Sequence, residues 1–172
     1  MIINSLGEYE NNFIQTKELW AFFRSKKKGD VMDINEIVTD TYYFSINNNL
    51  SGFITKRNAI KCFEQLVAKL EPGESIHLPF IDTPGSCYYA TQHRIIKCSK
   101  KLFRFKFKEW KWYQIKSINY LKRGFTGTLI LNTVHGEVKI QVCSYKAKFV
   151  CNRLNETKKI AKKILEKGTC NV

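Results

Sequence analysis

The chain has little of what usually announces chemistry. Its six cysteines, Cys62, Cys87, Cys98, Cys143, Cys151 and Cys170, include no Cys-x-x-Cys pair, which removes the spacing of zinc ribbons and redox motifs. The three histidines, His77, His93 and His135, form no His-x-x-x-His pair. Phosphate-binding Gly-x-x-x-x-Gly-Lys-Ser/Thr loops and Gly-x-Ser-x-Gly elbows are missing as well. No apolar stretch approaches the roughly 18 to 20 residues that a transmembrane helix needs. The start, Met-Ile-Ile-Asn-Ser-Leu-Gly-Glu-Tyr-Glu, lacks the basic and apolar regions of a secretory signal. Together these absences predict a cytoplasmic protein with reduced, mostly buried cysteines, no cofactor, no metal and no catalytic centre. One nucleophile arrangement stays open, Cys87 or Cys98 beside His93. Buried structural cysteines and an exposed turn histidine are the preferred reading.

Acidic residues are scarce in one half only. From Gln92 to Val172 there are 20 Lys and Arg against 4 Asp and Glu, whereas from Met1 to Thr91 there are 9 against 11. The net charge of +14 therefore belongs to the C-terminal half. A field of one sign attracts polyanions: nucleic acid, anionic lipid or an acidic protein surface. Plain solubility accounts for it equally well. A hydrophobic fraction of 44% over 172 residues is enough for one globular domain with its own core.

The most patterned stretch is Lys100 to Ile118. Phe103, Phe105 and Phe107 alternate with Arg104, Lys106 and Lys108. Successive side chains of a strand point to opposite faces, so the rings share one face and the cations the other. The rings are expected in a core and the cations in solvent. Glu109 to Lys111 reads as the turn to the next strand, with Trp110 exposed there. The candidate binding face is then Arg104, Lys106, Lys108, Lys111 and Lys116, with Trp110 as its aromatic.

Before this stretch the pattern is helical. Thr16 to Lys28 reads as a helix stopped at Gly29, and its Trp20, Phe22 and Phe23 need cover from the domain or from a partner. Asp33 and Glu36 form a capping-box pattern, but the following Ile-Val-Thr-Asp-Thr-Tyr-Tyr-Phe is rich in β-formers. A short helix is predicted there, then a loop over Ser45 to Gly52. Ala59, Ile60, Phe63, Leu66, Val67 and Leu70 make one apolar stripe behind a Thr55 cap, predicting a helix over 55–70 that ends at Pro72-Gly73. The period then switches to two. Seven strands are predicted, at about 74–80, 86–90, 94–99, 102–108, 112–121, 127–132 and 137–143, followed by a helix over 144–167.

Seven antiparallel strands and a closing helix are the order of the pleckstrin-homology-like fold. Four local pieces sharpen this: Leu70-Glu71-Pro72-Gly73-Glu74, Thr91-Gln92-His93-Arg94, Tyr113-Gln114-Ile115-Lys116-Ser117-Ile118, and Thr126-Gly127-Thr128-Leu129-Ile130. They resemble the bacterial pleckstrin-homology domains of the YokE-like type over about residues 63–167. The resemblance implies an α+β fold, a seven-stranded antiparallel bent barrel or sandwich with a C-terminal helix. It assigns 53–168 to the domain and 1–52 to a mainly helical N-terminal extension. It implies a non-catalytic recognition role of the kind found in bacterial and phage regulatory or host-interaction proteins. Thr91 and Arg94 would bracket a hairpin. Ile115 and Ile118 lie an odd number of residues apart, so one needs a bulge or separate cover. The first inter-strand loop, Ile81 to Gly85, holds Asp82 and no Lys or Arg, which argues against a typical inositol-phosphate site.

Three partners fit the residues, and fold alone does not choose among them. An acidic protein surface is preferred, with the basic face as contact and Trp20, Phe22 and Phe23 as a second cluster. Nucleic acid is the alternative, with the cations on phosphates and Trp110 or Trp112 stacking on bases. An anionic membrane is the least favoured, through Lys158, Lys159, Lys162, Lys163 and Lys167 of the last helix.

Overall fold

A computed structural model describes residues 34–47, 54–101 and 104–169. The helix predicted over 16–28, with Trp20, Phe22 and Phe23, lies outside the described residues, as do Phe103 and Cys170.

The first element, α1 (Ile34–Asn47), is longer than its sequence suggests. The β-formers do not prevent it, because Val38, Thr41 and Ser45 recur at helical steps and are buried. Burial of that stripe outweighs a propensity difference of a few tenths of a kcal/mol per residue. The helix also runs three residues into the expected loop, through Ser45, Ile46 and Asn47. Next comes α2 (Lys56–Val67), capped by Thr55, whose hydroxyl accepts from the Asn58 amide at 3.4 Å. It buries Ala59, Phe63 and Leu66, as the periodicity predicts, and Cys62 besides, and it ends at Val67, three residues before the expected stop.

Seven strands follow: β1 (Ile76–Ile81), β2 (Cys87–Thr91), β3 (Arg94–Lys101), β4 (Arg104–Lys111), β5 (Ile115–Arg123), β6 (Thr126–Thr133) and β7 (Gly136–Cys143). They form two antiparallel sheets, ordered β1-β2-β3-β4 and β5-β6-β7. A 26-residue helix, α3 (Ser144–Thr169), ends the fold. Two boundaries depart from expectation. Glu109 to Lys111 is not a turn but the end of β4, and the corner is a single 3-10 turn at Trp112–Gln114. Trp112 sits inside that corner, where its indole donates to the Thr91 carbonyl at 2.9 Å. The register shift between Ile115 and Ser117 supplies the bulge, so both Ile115 and Ile118 reach the core.

There are two cores, one on each face of the first sheet. Between the sheets lie Leu78, Phe80, Tyr88 and Ile95 opposite Ile118, Leu129, Leu131 and Ile140, with Ala147, Val150 and Leu154 of α3 filling one side. Beneath α1 and α2 lie Tyr89, Ile96 and Cys98 against Val38, Ala59, Phe63 and Leu66. Tyr88 stacks on Phe80 in the first core, and Tyr89 on Phe63 in the second. Adjacent residues of β2 thus serve different cores, which is what period two demands of a strand covered on both faces. At Gly127 a Cβ would stand 2.5 Å from the Ala147 Cβ, so glycine lets α3 start directly on β6.

One ion-pair network ties the sequence pieces together. Glu74 accepts from the Thr91 hydroxyl at 2.6 Å, from Arg94 at 3.1 and 2.9 Å, and from the Glu71 amide at 2.8 Å. Arg94 also meets Glu109 at 2.7 Å and the Lys69 carbonyl at 2.9 Å. The Pro-Gly-Glu turn and the Thr-x-x-Arg hairpin are therefore two halves of one structural joint.

Candidate functional site

The alternation in β4 is as expected, rings toward a core and cations toward solvent, and the core that takes the rings is the one beneath the helices. Phe105 and Phe107 turn toward the helical layer and pack half-buried against the second core. The Lys69 ammonium lies 5.3 Å from the Phe107 ring centre. The cations Arg104, Lys106 and Lys108 are exposed on the opposite face, the one that looks toward the second sheet. Trp110 shares that face. It is half-buried against the inter-sheet core instead of exposed at a turn, because β4 continues past it.

This face borders a cleft of about 450 Å³ between the β4 edge of one sheet and the β7 edge of the other. Its walls are Tyr88, Lys97, Ser99, Lys101, Lys106, Phe107, Lys108 and Trp110 from the first sheet and Val138, Lys139 and Ile140 from β7. Helix α3 packs on β5, β6 and β7 and reaches β1 and β2, which leaves the β4–β7 side for the cleft.

Register makes the cleft electrostatically unusual. Across β3 and β4, Lys97 is the direct partner of Lys108, Ser99 of Lys106, and Lys101 of Arg104. Like charges directly opposite one another destabilise a strand pair. One acid relieves part of this: Asp82, itself buried, accepts from Lys97 at 3.4 Å, from the Tyr88 hydroxyl at 2.8 Å and from the Ser86 amide at 2.6 Å. Burial, then the neighbouring Asp82, pushes the Tyr88 hydroxyl well up, so Tyr88 remains a donor to that carboxylate. At the far wall the Lys139 ammonium is 3.1 Å from Glu137. Among the described residues no acid pairs with Lys101, Lys106 or Lys108.

Three of the six residues expected as the binding face, Lys106, Lys108 and Trp110, line the cleft, and Arg104 continues their face. Lys111 ends β4 at a position of opposite parity, and Lys116 lies on β5, where its carbonyl accepts from Lys158 at 2.7 Å. Sequence reasoning missed Lys97, Lys101 and Lys139. The signal for the first two was present: Ile95, Lys97, Ser99 and Lys101 alternate with Ile96 and Cys98. A hairpin register counted from Arg94 onward would have set them opposite β4.

Catalytic alternatives find no convergent geometry. Cys87 and Cys98 are cross-strand partners with no exposed surface, on the face beneath the helices, whereas His93 is exposed in the hairpin between β2 and β3. Burial above all pushes the Cys87 thiol up, away from a reactive thiolate. Among the described residues no three His, Cys, Asp or Glu side chains come together as metal ligands. No helix among them is long and apolar enough to cross a membrane.

A four-stranded and a three-stranded antiparallel sheet, joined at a corner and followed by a C-terminal helix, define the pleckstrin-homology-like class of α+β folds. The particular family is the bacterial PH domain: its model matches residues 32–156, and the chain belongs to it. Domains of this kind are generally non-catalytic binding modules. No curated protein matches the chain.

Proposed function

We propose that the chain is a non-catalytic binding module that takes an acidic segment of a partner protein into the cleft between β4 and β7. The observation that carries this reading is the set of facing cations, Lys97 with Lys108 and Lys101 with Arg104, at the mouth of an open cleft. Folding gains nothing from such a ladder, and a bound carboxylate would offset its repulsion. The free, buried thiols of Cys62, Cys87, Cys98 and Cys151 agree with a reducing, cytoplasmic setting.

Single-stranded nucleic acid is the second reading, and the net charge favours it. The rings argue against it. Bases need aromatic faces to stack on, yet Phe105 and Phe107 turn to the helices and Trp110 is half-buried. The exposed rings among the described residues, Tyr43, Tyr113, Tyr120, Phe125 and Tyr145, stand apart from the cleft walls.

The test is a titration with a fluorescent glutamate-rich peptide and with oligo-dT, at about 50 mM and then physiological salt. The peptide is expected to bind, and the Lys106→Glu/Lys108→Glu variant is expected to lose it. Tighter binding of oligo-dT would favour nucleic acid. Equal peptide binding by the variant would place recognition elsewhere.

A further inference from the structure

The cleft is bounded on its long sides by strand edges. β4 is the last strand of its sheet and β7 the last of the other. Among the described residues no strand pairs with β4 on the side away from β3. A strand edge carries a row of backbone donors and acceptors that only another extended chain can satisfy in full. Cations on an edge strand also serve to block unwanted pairing, and that role accounts for Lys106 and Lys108. It does not account for Lys97 and Lys101, which lie on the interior strand β3 and face the same cleft.

We infer that the acidic segment binds as an added strand along β4, with acidic residues at alternate positions facing Arg104, Lys106 and Lys108. This rests on the cleft reading given above and specifies its mode. Cleft-facing positions of β4 repeat every second residue, at about 6.8 Å. Only a ligand with the same repeat matches all three cations, and an extended chain has it. A helix repeats its faces at three and four residues and is about 10–12 Å across, so it offers neither the spacing nor the backbone groups. Beyond Lys108 the same face presents Trp110 and, from β7, Val138 and Ile140. The fourth alternate position is therefore apolar. From N- to C-terminus the recognised pattern is acid-x-acid-x-acid-x-apolar for a strand parallel to β4 and apolar-x-acid-x-acid-x-acid for an antiparallel one. Repulsion across Lys97–Lys108 and Lys101–Arg104 is relieved by the inserted carboxylates, and the bare edge gains its hydrogen bonds.

The experiment uses the full chain and synthetic peptides of one composition. The better-binding of two alternating peptides, Glu-Val-Glu-Val-Glu-Val-Leu and its reverse Leu-Val-Glu-Val-Glu-Val-Glu, is compared with a blocked Glu-Glu-Glu-Val-Val-Val-Leu peptide at the same salt. The alternating peptide should bind about tenfold more tightly, from three cross-strand charge pairs in register. N-methylation of one alternate set of its amides should abolish binding, while methylation of the other set leaves it. Amide hydrogen exchange should show new protection along β4. Equal affinity for both peptides, or indifference to both methylation sets, overturns strand addition while leaving an acidic cleft ligand in place. Failure of every acidic peptide to bind overturns the inference and the reading beneath it together.

Discussion

β2 and β6 are both antiparallel strands in the middle of their sheets, yet they are built on different plans. Every residue of β2, Cys87 to Thr91, is buried. Along β6, Gly127, Leu129, Leu131 and Thr133 are buried and the residues between them are not. The first sheet has helices on one face and the second sheet on the other, whereas the second sheet turns one face to solvent. A strand covered twice needs apolar or satisfied side chains at every position, and a strand covered once needs them at every second. β4 combines the two plans: its ring face is covered by the helical layer and its cation face is left open. That mixed strand is where the fold ends and the candidate site begins.

The largest test of this contrast is to remove the helical cover. Phe63 of α2 has no exposed surface and stacks on Tyr89 at 5.4 Å between ring centres. Phe63→Ala should cost about 3–5 kcal/mol in urea-induced unfolding, the range of large-to-small changes in packed cores. A loss under about 1 kcal/mol would mean that the helices merely lean on the first sheet.

Much of this organisation was legible in the chain, and the reason is periodicity. The stripe from Ala59 to Leu70 and the alternation of β6 and β7 are each one-sided burial patterns, which a linear sequence displays directly. Two of the four pieces that resemble the bacterial family are joint residues, with Glu74, Thr91 and Arg94 meeting at one point, and the other two supply Ile115, Ile118 and Leu129 to the core from β5 and β6. The site was harder to read. Both faces of β4 were visible, but not that helices lie behind the ring face, because α1 carries β-formers on a helical stripe. Without that layer, the sequence says that the rings are covered and the cations open, but not what covers the rings. Lys97 and Lys101 have their meaning in what stands across the strand, Lys108 and Arg104, and that is a property of register.

The joint gives an intermediate effect with a pH signature. Burial alone would raise the Glu74 carboxyl, but the hydrogen bonds from Arg94, the Glu71 amide and Thr91 outweigh it and hold the folded value below the usual one. A carboxylate whose value is lower folded than unfolded adds stability above its unfolded value, about 4.3, and loses it as pH falls through the folded value. Acid unfolding of the wild type should therefore steepen below about pH 4, and Glu74→Gln should flatten that part of the curve. Arg94→Met should cost about 3 kcal/mol near neutral pH, since it leaves Glu74 buried without its cation. An unchanged acid limb in Glu74→Gln would show that other carboxylates govern acid unfolding.

The smallest effect is the one that separates the two faces of β4. Lys108→Glu puts an acid directly opposite Lys97. It should raise stability by about 0.2–1 kcal/mol at low salt, and added salt should erase the gain. Phe107→Ala, on the neighbouring residue and the other face, should instead lower stability, and salt should not restore it. The sign difference is the informative quantity, because one strand then carries a face that folding needs and a face that folding tolerates at a cost. If Lys108→Glu destabilises as Phe107→Ala does, the cations are part of the fold's own packing, and the cleft holds no place for a partner's carboxylates.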